Sequence, residues 1–175
     1  MRNIEWHISL ITVTIGCLLL ISCTNPFAPA EMQGTGEQDP LGNPRTIDGF
    51  FTRFKNAYQL RDTTLYGPLI QGNFTFTYRD YEHNVDVSWG RDEEMTSTYN
   101  MFNQSEDIQL QWNNIISQIV NNTKTQAQVI RRFNLAIVLK NSDVLHTDGS
   151  ANFVLVRPDS TSAWKLFHWR DESNL

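Results

Sequence analysis

An α+β domain is predicted for residues 44–175, because three patterns follow one another along the chain. Apolar residues first recur at three- and four-residue spacing. Strict alternation then takes over from Ser105, and clusters of Asn, Ser, Asp and Pro punctuate the alternating part. Helices first and an antiparallel meander last is the α+β order. About 130 residues suffice for one domain with one core.

The segment ahead of this domain has a different character. Ile8 to Ile21 is a nearly unbroken apolar run of 14 residues, preceded by Arg2 and ending at Ser22-Cys23. That is the length of a signal-peptide core. It is short of the roughly 20 apolar residues that a spanning helix needs. Leu20-Ile21-Ser22-Cys23 resembles the lipobox of bacterial lipoproteins, with residues 1–22 as the signal peptide. The resemblance implies that Cys23 receives a diacylglyceryl group, that the chain is cut before it, and that the membrane is a partner through the acylated Cys23. Each buried methylene contributes about 0.8 kcal/mol, and two or more acyl chains hold a protein stably without any spanning segment. Thr24 stands where an Asp would favour retention at the inner membrane, so the implied location is the outer membrane of the cell envelope, facing the periplasm. Residues 23–43 carry three prolines and three glycines after Cys23 and few large apolar groups, the composition of a flexible tether.

Within the domain, Asn43-Pro44 reads as a helix start, a capping side chain followed by proline in the first turn. Ile47, Phe50, Phe51, Phe54, Ala57 and Tyr58 then form one aromatic stripe, which is a core face. Asp62 is placed to cap a short second helix, Thr63 to Ile70, made irregular by Gly67-Pro68. Asn73 to Arg79 alternates as a half-buried strand, and Val85, Val87 and Trp89 mark a shorter one. Arg91 to Asn103 is predicted helical. Met95, Thr98, Tyr99 and Phe102 share its inner face, while Asp92, Glu93 and Glu94 complement its dipole. Strands follow around Ile108–Trp112, over Gln126–Asn141, over Val144–Arg157 with a bend at Asp148-Gly149, and over Ala163–Asp171. Apolar residues on both faces near Leu135–Leu139 predict a strand covered on both sides, and a homodimer through the outer sheet face.

Several of these residues together resemble the nuclear transport factor 2-like, or SnoaL-like, superfamily. They are Phe54-x-x-Ala57-Tyr58-x-x-Arg61-Asp62, then Tyr66 and Leu69 ahead of Phe74-Thr75-Phe76, then Trp89-Gly90-Arg91 with Glu94, and finally Trp164 to Asp171. The resemblance implies a strongly curved antiparallel sheet wrapping a long helix into a cone with a pocket. The implied lining is Phe54, Tyr58, Phe74, Phe76, Trp89, Tyr99, Trp112, Phe133 and Trp169.

This scaffold hosts enzymes, binders and interaction modules, so activity must be argued from residues. An acid–base enzyme of the isomerase, dehydratase or hydrolase type would draw on Asp62, Tyr58, Tyr66, Tyr99 or His146. Each has a plainer role as a cap, a core residue or a turn residue. His83, His146 and His168 are widely spaced, and Cys23 is the sole cysteine after the signal, so no metal site is expected. No phosphate loop or nucleophile elbow is present, so no cofactor is expected. A net charge of −5 with one adjacent basic pair, Arg131-Arg132, argues against a nucleic-acid partner. The reading is a non-catalytic module that binds a small apolar ligand or another protein.

Overall fold

A computed structural model describes residues 39–172. Cys23, the apolar run before it and residues 23–38 of the tether lie outside the described residues. Among the described residues no helix is long and apolar enough to cross a membrane.

Helix α1 spans Ile47–Leu60. Its N-cap is Thr46, whose hydroxyl accepts from Gly49 N at 3.0 Å. The start therefore lies three residues beyond the expected Asn43-Pro44. Asn43 instead closes the turn ahead of the helix, its Oδ1 accepting from Arg45 N at 3.0 Å. The helix ends at Arg61, which takes a left-handed conformation (φ 54°) and donates to the carbonyls of Ala57 and Tyr58. Phe50, Phe51, Phe54, Ala57 and Tyr58 are all buried, the stripe read from the sequence. Each large aromatic so placed contributes on the order of 1.5–3 kcal/mol.

The last residues assigned to the tether are part of the fold. Arg53 pairs with Asp39, and its Nε donates to Gly42 O at 2.7 Å. Gly42 sits at φ +97°, and a Cβ there would lie 2.4 Å from Gly49 O. A Cβ on Gly49 would lie 1.9 Å from Asn43 O. Two backbones thus meet where only hydrogen fits. Gly49→Ala is expected to force them apart and to cost about 1–3 kcal/mol, read as a lowered midpoint in thermal unfolding. An unchanged midpoint would mean that this crossing is loose.

Helix α2, Thr63–Tyr66, is capped by Asp62 as expected, and it passes into a 3-10 turn, Gly67–Leu69, that takes Pro68 in its first positions. Strands β1 (Ile70–Asp80) and β2 (Val85–Gly90) form a hairpin, and helix α3 (Arg91–Gln104) follows. Strands β3 (Ser105–Val120), β4 (Gln126–Leu139), β5 (Val144–Val156) and β6 (Lys165–Asp171) complete one curled sheet in the order β2-β1-β6-β5-β4-β3. The sheet is not wholly antiparallel, because β1 and β6 pair in parallel. The hairpin occupies one edge of β1, and the last strand reaches the other edge from β5 in the direction β1 already runs.

Strand β3 is far longer than the Ile108–Trp112 alternation. Its register against β4 shifts between Trp112 and Ile115 and again between Ile115 and Ser117. These bulges absorb Asn113-Asn114 and Ile115-Ile116, which break the period of two. The β4–β5 register runs unbroken through Phe133↔Gly149 and Asn134↔Asp148, so the expected bend at Asp148-Gly149 does not interrupt pairing. Phe133, Leu135, Ile137 and Leu139 share one face of β4, as expected from their alternation. On the other face, Ile130, Ala136 and Val138 are half-buried. Their partners by register are Ser117 and Asn152 for Ile130, Gln109 and His146 for Ala136, and Asp107 and Val144 for Val138. The outer face therefore mixes polar side chains with exposed apolar ones, Ile119 and Val144 among them.

Helix α1 lies along the inner face. Phe51 stacks on Phe153 at 5.5 Å and meets Trp112 edge-on at 4.9 Å, and Trp112 Nε1 donates to Phe51 O at 3.1 Å. Phe54 contacts Trp169 at 5.8 Å. This aromatic layer fixes the helix against the sheet and leaves a cavity beyond its end.

Candidate functional site

The cavity has a volume of about 370 Å³. Its wall takes Phe54 and Tyr58 from α1, Phe76 from β1, Trp89 from β2, and Glu94, Ser97, Thr98 and Met101 from α3. The later strands add Leu110, Trp112, Phe133, Leu135, Thr147, Trp169 and Asp171. Such a volume and an aromatic wall with few polar groups are the usual attributes of a small-molecule site. A wider groove of about 840 Å³ runs beside Lys55, Gln59, Gln109, Gln111, Arg131, Asn134, His146 and Asp148. Its lining is the more polar of the two, and it shares Leu110, Trp112, Leu135 and Thr147 with the cavity.

Glu94 organises the polar side of the cavity. It is only 4% exposed, unusual for a carboxylate. The Tyr66 hydroxyl donates to its Oε1 at 2.6 Å, the Thr98 hydroxyl to the same oxygen at 3.2 Å, and Trp89 Nε1 to Oε2 at 2.8 Å. Three donors and no acceptor suit a carboxylate, and they come from α2, α3 and β2. Burial pushes the Tyr58 phenol far above its ordinary value, and the charge of Glu94 adds to the effect. Burial likewise raises Tyr66, with Tyr58 and Glu94 contributing. Both phenols therefore stay protonated at neutral pH. Two carboxylates, Glu94 and Asp171, line the cavity, and among its described lining residues there is no Lys, Arg or His.

The chain was compared with known proteins. No family model matches it, and no curated protein does. Solved structures do. A proposed scytalone dehydratase from Novosphingobium aromaticivorans superposes with a TM-score of 0.63 at 14% identity, covering 75% of this chain and 83% of that one. A nuclear transport factor 2-like superfamily protein from Salmonella enterica serovar Typhimurium gives 0.58 at 15% identity, covering 75% and 91%. The fold is the nuclear transport factor 2-like cone. A proposed dehydratase of that family from Streptomyces avermitilis, 19% identical, gives 0.58 and covers 74% of this chain and 94% of that one. At these identities the likeness concerns architecture.

Within this cone, seven of the nine residues expected to line a pocket do so: Phe54, Tyr58, Phe76, Trp89, Trp112, Phe133 and Trp169. Phe74 does not. It is 2% exposed, packed in the core nearer the start of β1. Tyr99 does not either. It is 56% exposed, because α3 turns Glu94, Thr98 and Phe102 inward instead of the Met95–Tyr99 side.

Of the acid–base candidates, Tyr58 and Tyr66 meet beside Glu94 with ring centroids 5.6 Å apart, and Asp62, Tyr99 and His146 lie elsewhere. Asp62 Oδ1 accepts from Thr64 N, Thr64 Oγ1 and Leu65 N at 2.7, 2.6 and 3.3 Å, and the Thr64 hydroxyl bond leads in holding its carboxyl below the usual range. It is a helix cap. Tyr66 is fully buried behind Glu94. His146 is exposed on the outer groove. Among the described residues no three His, Cys, Asp or Glu side chains gather as a metal site would require.

Sequence reasoning placed Thr98 inward without assigning it to the pocket, and as lining residues it missed Glu94, Ser97, Met101, Leu110, Leu135, Thr147 and Asp171. For Glu94 a signal existed. Placing Thr98 and Phe102 inward on a helix also places Glu94 inward, four residues before Thr98.

Proposed function

We propose that this chain is a lipid-anchored protein of the bacterial envelope whose cone holds a small, largely apolar molecule without transforming it. The observation that carries the reading is an aromatic cavity of about 370 Å³ whose buried carboxylate, Glu94, is already engaged by three donors. A general base must be free to reach a substrate proton. Glu94 instead ties three elements together, and the phenols beside it hold their protons. The anchor rests on Leu20-Ile21-Ser22-Cys23, and the outer-membrane location on Thr24.

Naphthalene is a suitable first probe, since Trp89, Trp112 and Trp169 line the cavity and report on its filling. Titrating the full-length chain in lipid nanodiscs, with empty nanodiscs subtracted, is expected to change tryptophan emission saturably at one probe per chain. Bound probe should also raise the unfolding temperature, as any ligand of the native state does. A non-saturable response with no thermal shift would remove the ligand-binding reading.

A further inference from the structure

The wall of the aromatic cavity carries charge of one sign. Glu94 and Asp171 belong to it, and no Lys, Arg or His stands among its described lining residues. Glu94 is the sharper case. A buried carboxylate is ordinarily matched by a cation or a metal. Here its partners are Tyr66, Thr98 and Trp89, all neutral donors. The ion pairs of Arg53, Arg79, His83 and Arg170 lead to Asp39, Asp86 and Asp80, not to Glu94. Hydrogen bonds engage its oxygens but bring no countercharge. Both acids act on the Tyr58 hydroxyl of the wall: burial is the main cause that holds its proton, and the charges of Glu94 and Asp171 add to it. Lys55, Arg131 and His146 line the wider groove instead, mixed there with Asp107 and Asp148. The rest of the cavity wall is largely aromatic. Its rings stand steeply to one another: Phe54 against Trp112 at 65°, Phe54 against Trp169 at 76°, and Phe76 against Trp169 at 82°. Rings set at such angles form a box, and the π faces of Trp, Tyr and Phe attract a cation that has shed its water.

We propose that the cavity binds an organic cation, a molecule with a quaternary ammonium head and a small apolar body. This deepens the ligand-binding reading and rests on it. The sign of the charge follows from two carboxylates on a wall without a basic residue among its described lining. In such surroundings attraction is little screened, and an anion would be desolvated beside like charge. Full alkylation of the nitrogen follows from the hydrogen bonds. A primary ammonium carries three donors, and each must exchange a bond to water for one in the site. The Glu94 oxygens already serve Tyr66, Thr98 and Trp89. A quaternary nitrogen has no N–H to satisfy, and its methyl groups suit the aromatic wall.

Four benzyl probes test this against the full-length chain in uncharged maltoside micelles, with empty micelles subtracted: benzyltrimethylammonium, its carbon isostere neopentylbenzene, benzylamine and benzoate. By calorimetry benzyltrimethylammonium is expected to bind roughly tenfold tighter than neopentylbenzene, although the hydrocarbon leaves water more readily. Benzylamine should bind more weakly than the quaternary cation, and benzoate weakest of all. Asp171→Asn, which leaves the Glu94 tie untouched, should weaken binding of the cation several-fold and leave that of neopentylbenzene unchanged. A second measurement needs no variant: the N-methyl proton resonance of benzyltrimethylammonium should move upfield on binding, as it must for methyl groups lying against ring faces. Hexyltrimethylammonium and hexylphosphocholine separate a free cation from a choline lipid headgroup. Only the first should displace the benzyl cation, because the phosphate of the second would meet the two carboxylates. The inference is overturned by equal or tighter binding of neopentylbenzene to the native chain, by tighter binding of benzylamine or benzoate, by an unchanged preference in Asp171→Asn, by a stationary N-methyl resonance, or by equal displacement with hexylphosphocholine. Should neopentylbenzene bind without any preference for the cation, the cavity remains a ligand site and only the charge assignment is lost. Should no probe bind, naphthalene included, both readings fall together.

Discussion

Replacing Cys23 with serine is expected to abolish incorporation of labelled palmitate and to leave a precursor that still carries residues 1–22. The chemistry requires a thiol, since the lipid is joined through a thioether and cleavage follows that step. On the proposed reading the effect is all-or-none, because Cys17 lies inside the apolar run and would be removed with it. Cys17→Ser should change neither labelling nor cleavage. The physical consequence is equally sharp. On the proposed reading, the anchor would place several acyl chains in the bilayer, each methylene worth about 0.8 kcal/mol, and their loss would remove that hold. Fractionation of cells should show native protein in the outer membrane and the Cys23→Ser precursor elsewhere. Unchanged palmitate labelling in the variant would sink the lipoprotein reading.

Truncating Glu94 should cause the largest loss of stability of any single cavity substitution. Glu94→Ala strips the acceptor from Tyr66, Trp89 and Thr98 at once and leaves three donors facing an apolar cavity. At about 1–3 kcal/mol for each unsatisfied buried group, partly relieved by entering water, a net loss of roughly 3–5 kcal/mol is expected. Glu94→Gln keeps the shape and one acceptor oxygen but turns an NH2 toward donors, so about 1–3 kcal/mol is expected. Tyr66→Phe removes one donor along with its need for an acceptor and should cost least. Urea unfolding of the three variants would rank them. A Glu94→Ala loss below about 0.5 kcal/mol would mean that the carboxylate is not the tie between α2, α3 and β2 described above.

The parts of the fold legible in the sequence are those set by local period and local chemistry. The stripe from Phe50 to Tyr58 predicted its own burial, Asp62 its cap, and the alternation in β1 and β4 their faces. What stayed hidden depends on distant partners. A period of two says which side chains share a face but not which strand lies alongside, so the parallel β1–β6 pair was not readable. The bulges of β3 conceal a long strand behind Asn113-Asn114 because the extra residues spoil the alternation by which strands are recognised. Asp39 to Gly42 looked like tether by composition, yet Arg53 reaches across 14 and 11 positions to hold them.

The same logic separates the readable from the unreadable parts of the site. Seven aromatic wall residues were accessible through the family resemblance, which implied the pocket they line. Glu94 was not, because an acid in a first helical turn is fully explained by the dipole until Tyr66 and Trp89 are seen to point at it. Tyr99 failed for the complementary reason, since an aromatic on α3 seemed a better inward residue than an acid one turn earlier.

Tying an acid into the frame makes the interior a mould whose contents can be revised cheaply and whose chemistry cannot. Exchanges at Met101, Leu110 or Leu135 would recut the hollow for a different guest while the strut stood untouched. Putting Glu94 itself to chemical use would mean releasing an acid the frame holds fast, and so loosening the joint that keeps its walls together.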